Sequence, residues 1–295
     1  MNLTHKIILY LRVFLKIRKN SSGKKEGTIE GIIFSKDRPM QLFSLLESYY
    51  KYLSPAPPLY IIYRSSDSNY EKAYEEVRDY FKNQTHLTFI KESDFRANLI
   101  SLLKNIRSTY IFFLVDDIIF KSSLSFEDYL TLSDRDKYIL SLRLGKNLSY
   151  CYPLDSHQEL PHFKNKGIFL SWKWKKSQKD WKYVFSVDGN VYLKNEILAI
   201  TEEIPFKAPN SYEASMNTLR YIIRRKDGLC YHESKLVNLC LNRVQDEVLN
   251  ISGDISSEEL LDLWNQGNKI DIDKFSSISN ISAHIEVEQL PLKKR

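Results

Sequence analysis

The stretch at 110–120, reading YIFFLVDDIIF, limits what this chain can fold into more than any other. An apolar run rich in aromatic and β-branched residues reads as a strand buried on both faces inside an α/β sheet. Asp116 and Asp117 interrupt it. An unpaired carboxylate buried in such a strand costs roughly several kcal/mol, so the pair is expected where the strand emerges into a cleft, beside a cation. Adjacent hard oxygens suit Mg²⁺ or Mn²⁺. The residues alone leave a plainer use open, with one aspartate starting a turn and the other capping the next element.

With 295 residues, 43% hydrophobic and 27% charged, the chain is long enough for one large α/β domain, alone or with an appendage, and too apolar to be disordered. Its net charge of +6 suits anionic phosphates or an anionic membrane surface. The basic residues are scattered and form no RNP-like or helix-turn-helix pattern, so no nucleic-acid partner is expected. Neither GxGxxG nor a Walker A loop occurs. Cys151, Cys230 and Cys240 are odd in number and lack CxxC spacing, which argues against a disulfide framework or a zinc knuckle and makes a reducing cytoplasmic compartment the default.

Residues 5–19, HKIILYLRVFLKIRK, are too short and too charged to span a bilayer, and Arg12 within the apolar stretch fits a signal peptide poorly. They predict a basic amphipathic helix that either lies in a membrane interface through Ile7, Ile8, Leu11, Phe14 and Leu15 or docks on the domain. With the polar linker at 20–27 this gives an N-terminal segment at 1–27, a main domain at 28–250, and a helix with a basic tail at 251–295. Strands at 28–35, 59–63, 87–90 and 110–120 alternate with helices at 40–52, 70–81 and 97–107. That alternation predicts a mostly parallel sheet flanked by helices, with ligands at the carboxyl ends of the strands. After Phe120 the periodicity weakens. A short helix is expected at 126–132, a strand at 138–144 and a small hairpin or subdomain over the cleft within 147–182. Helices at 194–203, 210–224 and 256–266 and a strand with its exit at 230–242 complete the reading.

This order of elements over 29–245, with Ser35-Lys36-Asp37-Arg38-Pro39 after the first strand and Phe112-Phe113-Leu114-Val115-Asp116-Asp117 in the central one, resembles a GT-A-fold glycosyltransferase, Rossmann-like and of the bacterial type that builds cell-surface glycans. The resemblance implies a small acceptor-side subdomain, a nucleotide-sugar donor with a UDP-sugar favoured, and a glycan or lipid-linked glycan acceptor at the inner face of a membrane. In that family an acidic DxD site holds a divalent ion, Mn²⁺ or Mg²⁺, that bridges the donor phosphates. Asp117 and Asp116 take that part here, although Ile118 stands in the third position. The resemblance also sets Phe34, Ser35, Arg38, Arg64 and Ser65 along the nucleotide pocket, with Asp94 and Arg96 near the base. Read as residues, Arg38 and Arg64 are equally solvated loop arginines and Asp94 a helix cap.

The resemblance further implies a general base near the start of a helix after the sheet, with an inverting transfer favoured. Glu213 in Asn210-Ser211-Tyr212-Glu213 matches best and Asp188, beside Gly189, comes second. Glu213 also fits the reciprocal half of a capping box, and Gly189 a plain turn. His232 or His284 would complete the metal shell. Trp172, Trp174 and Trp181 either stack on sugar faces or pack the subdomain. Two other classes stay open: a nucleotidyltransferase or other nucleotide-diphosphate enzyme, disfavoured by the lack of glycine in 35–39, and a non-catalytic binding protein, disfavoured by paired acids at a strand exit.

Overall fold

The computed structural model describes residues 3–20, 27–241 and 255–295. Most of the expected linker at 20–27, the end of the strand expected at 230–242 and the boundary near 250 lie outside them. Helix α1 (Leu3–Asn20) comes first. Then β1 (Ile29–Lys36), α2 (Pro39–Tyr52), β2 (Leu59–Arg64), α3 (Ser68–Tyr80), β3 (Leu87–Lys91), α4 (Phe95–Asn105) and β4 (Tyr110–Val115) alternate as the periodicity demands. The starts are encoded locally. Pro39 opens α2, where a missing N–H is harmless, and Asp67 and Asp94 cap α3 and α4 through their carboxylates.

The 110–120 run is two strands rather than one. Asp116 and Asp117 turn the chain out of the large sheet into β5 (Ile118–Phe120), which belongs to a second, smaller sheet. After it come α5 (Glu127–Leu130), β6 (Tyr138–Ser141), the hairpin of β7 (Tyr150–Cys151) and β8 (Ser156–His157), and the hairpin of β9 (Lys164–Lys166) and β10 (Phe169–Trp172). Then follow α6 (Lys179–Lys182), β11 (Asn190–Leu193), α7 (Lys194–Glu203), α8 (Pro209–Thr218), β12 (Asp227–Tyr231) and β13 (Leu236–Leu239). The chain ends with α9 (Ser257–Asn265), β14 (Asn268–Ile270), β15 (His284–Ile285) and β16 (Leu292–Lys294).

Among the described residues the large sheet has the order β3-β2-β1-β4-β11-β6-β12-β10-β9. The first four strands are parallel, β11 runs against β4, β6 and β12 return to the first direction, and β10 turns back again. The sheet is thus mostly parallel, as expected. Helices α2, α3 and α9 bury one face of it and α4, α7 and α8 the other. Gly31 shows how tight the centre is: a Cβ there would lie 2.4 Å from the Phe112 ring. Within 147–182, where a small hairpin or subdomain is expected, β7–β8 forms a separate hairpin and β9–β10 extends the edge of the large sheet. Trp172 and Trp174 are buried, their indole N–H groups donating to the carbonyls of Trp181 (2.9 Å) and Lys226 (2.8 Å), so they pack rather than present a ring to solvent.

The C-terminal residues close against the first half of the chain. Arg295 lies 3.6 Å over the Trp264 ring and shares Glu76 with the Trp264 indole, while Lys293 pairs with Asp271 (2.9 Å) and Asp273 (2.8 Å). The small sheet has the order β15-β13-β5, so this segment joins, through β13, the sheet that holds the strand following the aspartates. Helix α1 docks on α7 through buried Val13 and through Lys16, 2.9 Å from Glu202 and 2.6 Å from Glu203. Its other side leaves Ile7, Ile8, Leu11, Phe14 and Leu15 exposed. Among the described residues no helix is long and apolar enough to cross a membrane.

Candidate active site

The exit of β1 builds the first part of the site. Asp37 takes a left-handed backbone (φ 53°), and its carboxylate accepts from the Ser66 N–H (2.7 Å) and hydroxyl (2.6 Å), tying the exits of β1 and β2 together. The next amide, of Arg38, donates to the Tyr74 hydroxyl (3.1 Å). The Arg38 guanidinium is thereby aimed at the acids, with Nη1 3.0 Å from Asp116 Oδ1 and 3.3 Å from Asp117 Oδ2. The remaining oxygens are also held: Asp116 Oδ2 accepts from the Lys36 N–H and Asp117 Oδ1 from Asn238 Nδ2, both at 3.2 Å. Asp116 is 4% exposed, whereas the Asp117 side chain keeps 23%. Burial pushes both carboxyls up against the pull of Arg38, and Asp117, with Asp116 and Asp188 adding to the effect, reaches about 7. Burial also works against the Arg38 charge, but the two aspartates outweigh it and hold the guanidinium above its ordinary value.

The second part forms where β6 and β11 meet. Gly189 (φ 77°) packs so closely on Leu236 that a Cβ would fall 2.5 Å from its Cδ2, and it presents Asp188 beside the strand exits. Asp188 Oδ2 lies 3.8 Å from His284 Nε2 on β15. The side chains of Tyr183 and Ser186 lie near Glu213, on α8, and favour its charged form. Glu213 is not a capping residue, because the Ser211 hydroxyl makes the reciprocal bond to the Ala208 N–H (3.0 Å). Burial drives the Glu213 carboxyl up to about 8, Asp188 adds to this, and Arg143 opposes it. Arg143 is 2% exposed and lies 3.2 Å from Asp180 Oδ1, and Gln158 holds the other oxygen of Asp180 at 3.2 Å. Burial opposes the Arg143 charge, but Asp180, Asp188 and Glu213 more than offset it. Next to this group a cavity of about 10 Å³, room for about one water, is lined by Ser141, Asn190, Trp181 and Tyr183. The Ser141 hydroxyl, the Asn190 carbonyl oxygen and the Trp181 indole N–H are buried there without a hydrogen-bond partner among the described residues.

The fold therefore brings Asp116, Asp117, Arg38, Asp188 and Glu213 to one edge of the sheet, with Ser35 just behind, its hydroxyl 2.7 Å from that of Tyr74. Other expected site residues have different partners. Phe34 is buried between Phe95 and Phe113. Arg64 is exposed and 3.7 Å from Glu92, while Ser65 bonds Glu71. Asp94 caps α4 by accepting from the Ala97 N–H (2.6 Å). Arg96 turns away to the end of α7, donating to the Glu202 carbonyl (2.8 Å) beneath Phe206. His232 is exposed in the turn before β13, and His284 is the histidine set beside an acid. Sequence reading missed Asp37, Tyr74, Arg143, Asp180 and Asn238. Arg143 carried the same signal as Asp116, a charge closing the apolar run Tyr138-Ile139-Leu140-Ser141-Leu142.

Among the described residues no group of three or more His, Cys, Asp or Glu forms a metal cage. Two neighbouring carboxylates still fit a Mg²⁺-like ion, which takes one or two protein carboxylates and completes its shell with substrate phosphates and water. The donor set fits on the condition that Arg38 yields the two oxygens it holds.

No protein-family model matches the chain. In an alignment of 258 positions that covers 75% of this chain, the chain is 28% identical to the bifunctional glycosyltransferase pgtA of Dictyostelium discoideum, and it spans 33% of that relative. Among solved structures it is similar to S. aureus TarS in complex with UDP (13% identity over 66% of this chain and 54% of that one, TM-score 0.42). It is also similar to the WbbM bifunctional glycosyltransferase (8% identity, 67% and 38%, TM-score 0.39) and to the mannosyltransferase PcManGT from Pyrobaculum calidifontis in complex with GDP-Man and Mn²⁺ (13%, 48% and 44%, TM-score 0.31). At these scores the strand order described above, not the superposition, defines the architecture. By its sequence the chain is similar to a glycosyltransferase, and its architecture is a large, mostly parallel α/β sheet flanked by helices.

Proposed function

We propose that the chain transfers a sugar from a nucleotide-sugar donor, with UDP the favoured nucleotide, to a hydroxyl of a glycan or lipid-linked glycan in cell-surface polysaccharide synthesis. The similarity to pgtA along three quarters of the chain carries this reading. The acids gathered at the carboxyl edge of the parallel strands support it, since that edge is where open α/β sheets bind nucleotides. In this reading residues 28–250 are the catalytic domain, flanked by 1–27 and 251–295.

A sugar leaving a nucleotide diphosphate puts negative charge on the departing phosphate. Arg38 lies where a guanidinium can grip that group, and Ser35, with the β1–α2 turn, shapes the floor beneath it. A divalent cation held by Asp117 and Asp116 would offset the same charge. Glu213 serves as general base: its raised proton affinity suits removal of a proton from an acceptor hydroxyl near neutral pH, and attack from that side inverts the anomeric centre. Tyr183 and Ser186 favour the charged carboxylate, and Asp188 raises the proton affinity of both Glu213 and Asp117. Thermal unfolding with UDP-, GDP- and CMP-sugars, each with and without Mn²⁺, tests the reading. Stabilisation by one nucleotide-sugar together with Mn²⁺ is expected, and no response to any of them would remove it.

The outward side of α1, with exposed Ile7, Ile8, Leu11, Phe14 and Leu15 beside Arg12, Arg18 and Lys19, suits the anionic inner face of a membrane near a lipid-linked acceptor. Flotation with anionic vesicles is expected, and Leu11→Glu with Leu15→Glu should abolish it. Equal recovery of both proteins with the vesicles would count against this contact.

A further inference from the structure

We propose that Arg38 is a resident counter-ion that makes cation binding at the aspartate pair conditional on a nucleoside diphosphate; this rests on reading the site as a nucleotide-sugar site. The four carboxylate oxygens are not equivalent. Asp116 Oδ2 accepts from the Lys36 backbone on β1, and Asp117 Oδ1 accepts from Asn238, a side chain 2% exposed on β13. Those donors belong to fixed elements. Asp116 Oδ1 and Asp117 Oδ2, in contrast, are held by one atom, Nη1 of Arg38, at 3.0 and 3.3 Å. Rotation of the Arg38 side chain would release both of these oxygens at once.

The backbone allows that rotation without unfolding the turn. The Arg38 N–H stays on Tyr74, Pro39 starts α2, and Asp37 remains clamped to Ser66. A divalent cation arriving alone must displace a guanidinium from both oxygens and then sit against its charge. A diphosphate offers that guanidinium a bidentate partner of its own, so the oxygens are released where the new anion needs a counter-charge. Linkage then requires each ligand to raise the affinity for the other by the same factor. The arrangement discourages cation capture by an empty site, and Arg38 moves from one set of anionic oxygens to another.

The test is Mn²⁺ binding to the full chain, read by the EPR signal of free Mn²⁺, first without nucleotide and then with UDP or GDP. The wild type should bind Mn²⁺ at least about tenfold more tightly with a diphosphate than without. Arg38→Met should bind Mn²⁺ alone about tenfold more tightly than the wild type and gain little from the diphosphate, because the competitor is gone. Adding Asp117→Asn to Arg38→Met should erase that gain, and Arg38→Gln repeats the test if the methionine variant does not fold. Equal or weaker Mn²⁺ binding by both Arg38 variants overturns the competition. If neither UDP nor GDP alters Mn²⁺ binding by the wild type, the coupling falls along with the nucleotide reading, while the measurement without nucleotide still decides whether Arg38 competes.

Discussion

Around Asp116 and Asp117 every carboxylate oxygen has a donor and a guanidinium lies between the two acids. Around Glu213 the balance is different: Arg143 is bonded to Asp180, and burial, with Asp188 beside it, carries the proton affinity to about 8. Both regions answer burial with raised proton affinity, but only the aspartate pair also has a guanidinium bonded directly to its carboxylates. Asp188 raises the proton affinity of both Asp117 and Glu213, so the two regions share one electrostatic field. The lesson is a division of labour between acids of one site: a compensated pair suits holding a cation or phosphate, and a desolvated carboxyl suits proton transfer.

The comparison breaks most visibly at Arg143. Arg143→Met leaves Asp180 buried with only Gln158, and stability should fall by about 3–5 kcal/mol in urea denaturation. A loss below about 1 kcal/mol would mean that the acceptor side does not depend on this pair. Next in size is Glu213→Gln, which should cut sugar transfer on the order of 10²–10⁴-fold. Because Ser211 already caps α8, its melting temperature should stay close to that of the wild type; a collapse in stability with the turnover of the remaining folded protein intact would return Glu213 to a structural role.

The pH dependence sharpens the same contrast. A base must be deprotonated, so the rate should climb with pH and level off above about 8 in the wild type. Since the folded value lies above the ordinary 4.5, the stability linked to Glu213 is present below that value and lost as pH rises through about 8. Thermal melts should therefore show a smaller alkaline loss in Glu213→Gln than in the wild type, and superimposable pH curves would contradict the assignment. The smallest effect belongs to Trp181→Phe. Its indole N–H has no partner among the described residues, so the exchange should change stability by less than about 1.5 kcal/mol in the same urea titration.

The same division governs how much could be read from the sequence. The half up to β4 was legible because each element declares itself: Leu42, Leu45, Leu46 and Tyr49 mark one buried side of α2, and the paired aspartates announce a strand exit. That the exit is a corner between two sheets was not visible, because Ile118-Ile119-Phe120 is as apolar as the strand before it. Beyond Phe120 the strands are short and paired across long separations, as with β12 beside β6 and β15 beside β13, and such register leaves no local period. Arg96 shows the limit of placing site residues by family resemblance: the sequence position fits, but the side chain bonds the end of α7. Glu213 shows the converse, since only the structure separates it from the cap made by Ser211.

In the proposed function the paired acids at the β4–β5 corner hold the cation that, with Arg38, offsets the diphosphate charge of a sugar donor. The most direct test of this claim is the rate of nucleoside diphosphate release, in the presence of Mn²⁺, from the sugar nucleotide that stabilises the protein best, compared between wild type and Asp117→Asn. A loss on the order of 10²–10³-fold with an unchanged unfolding midpoint is predicted. Release by Asp117→Asn at the wild-type rate would contradict it.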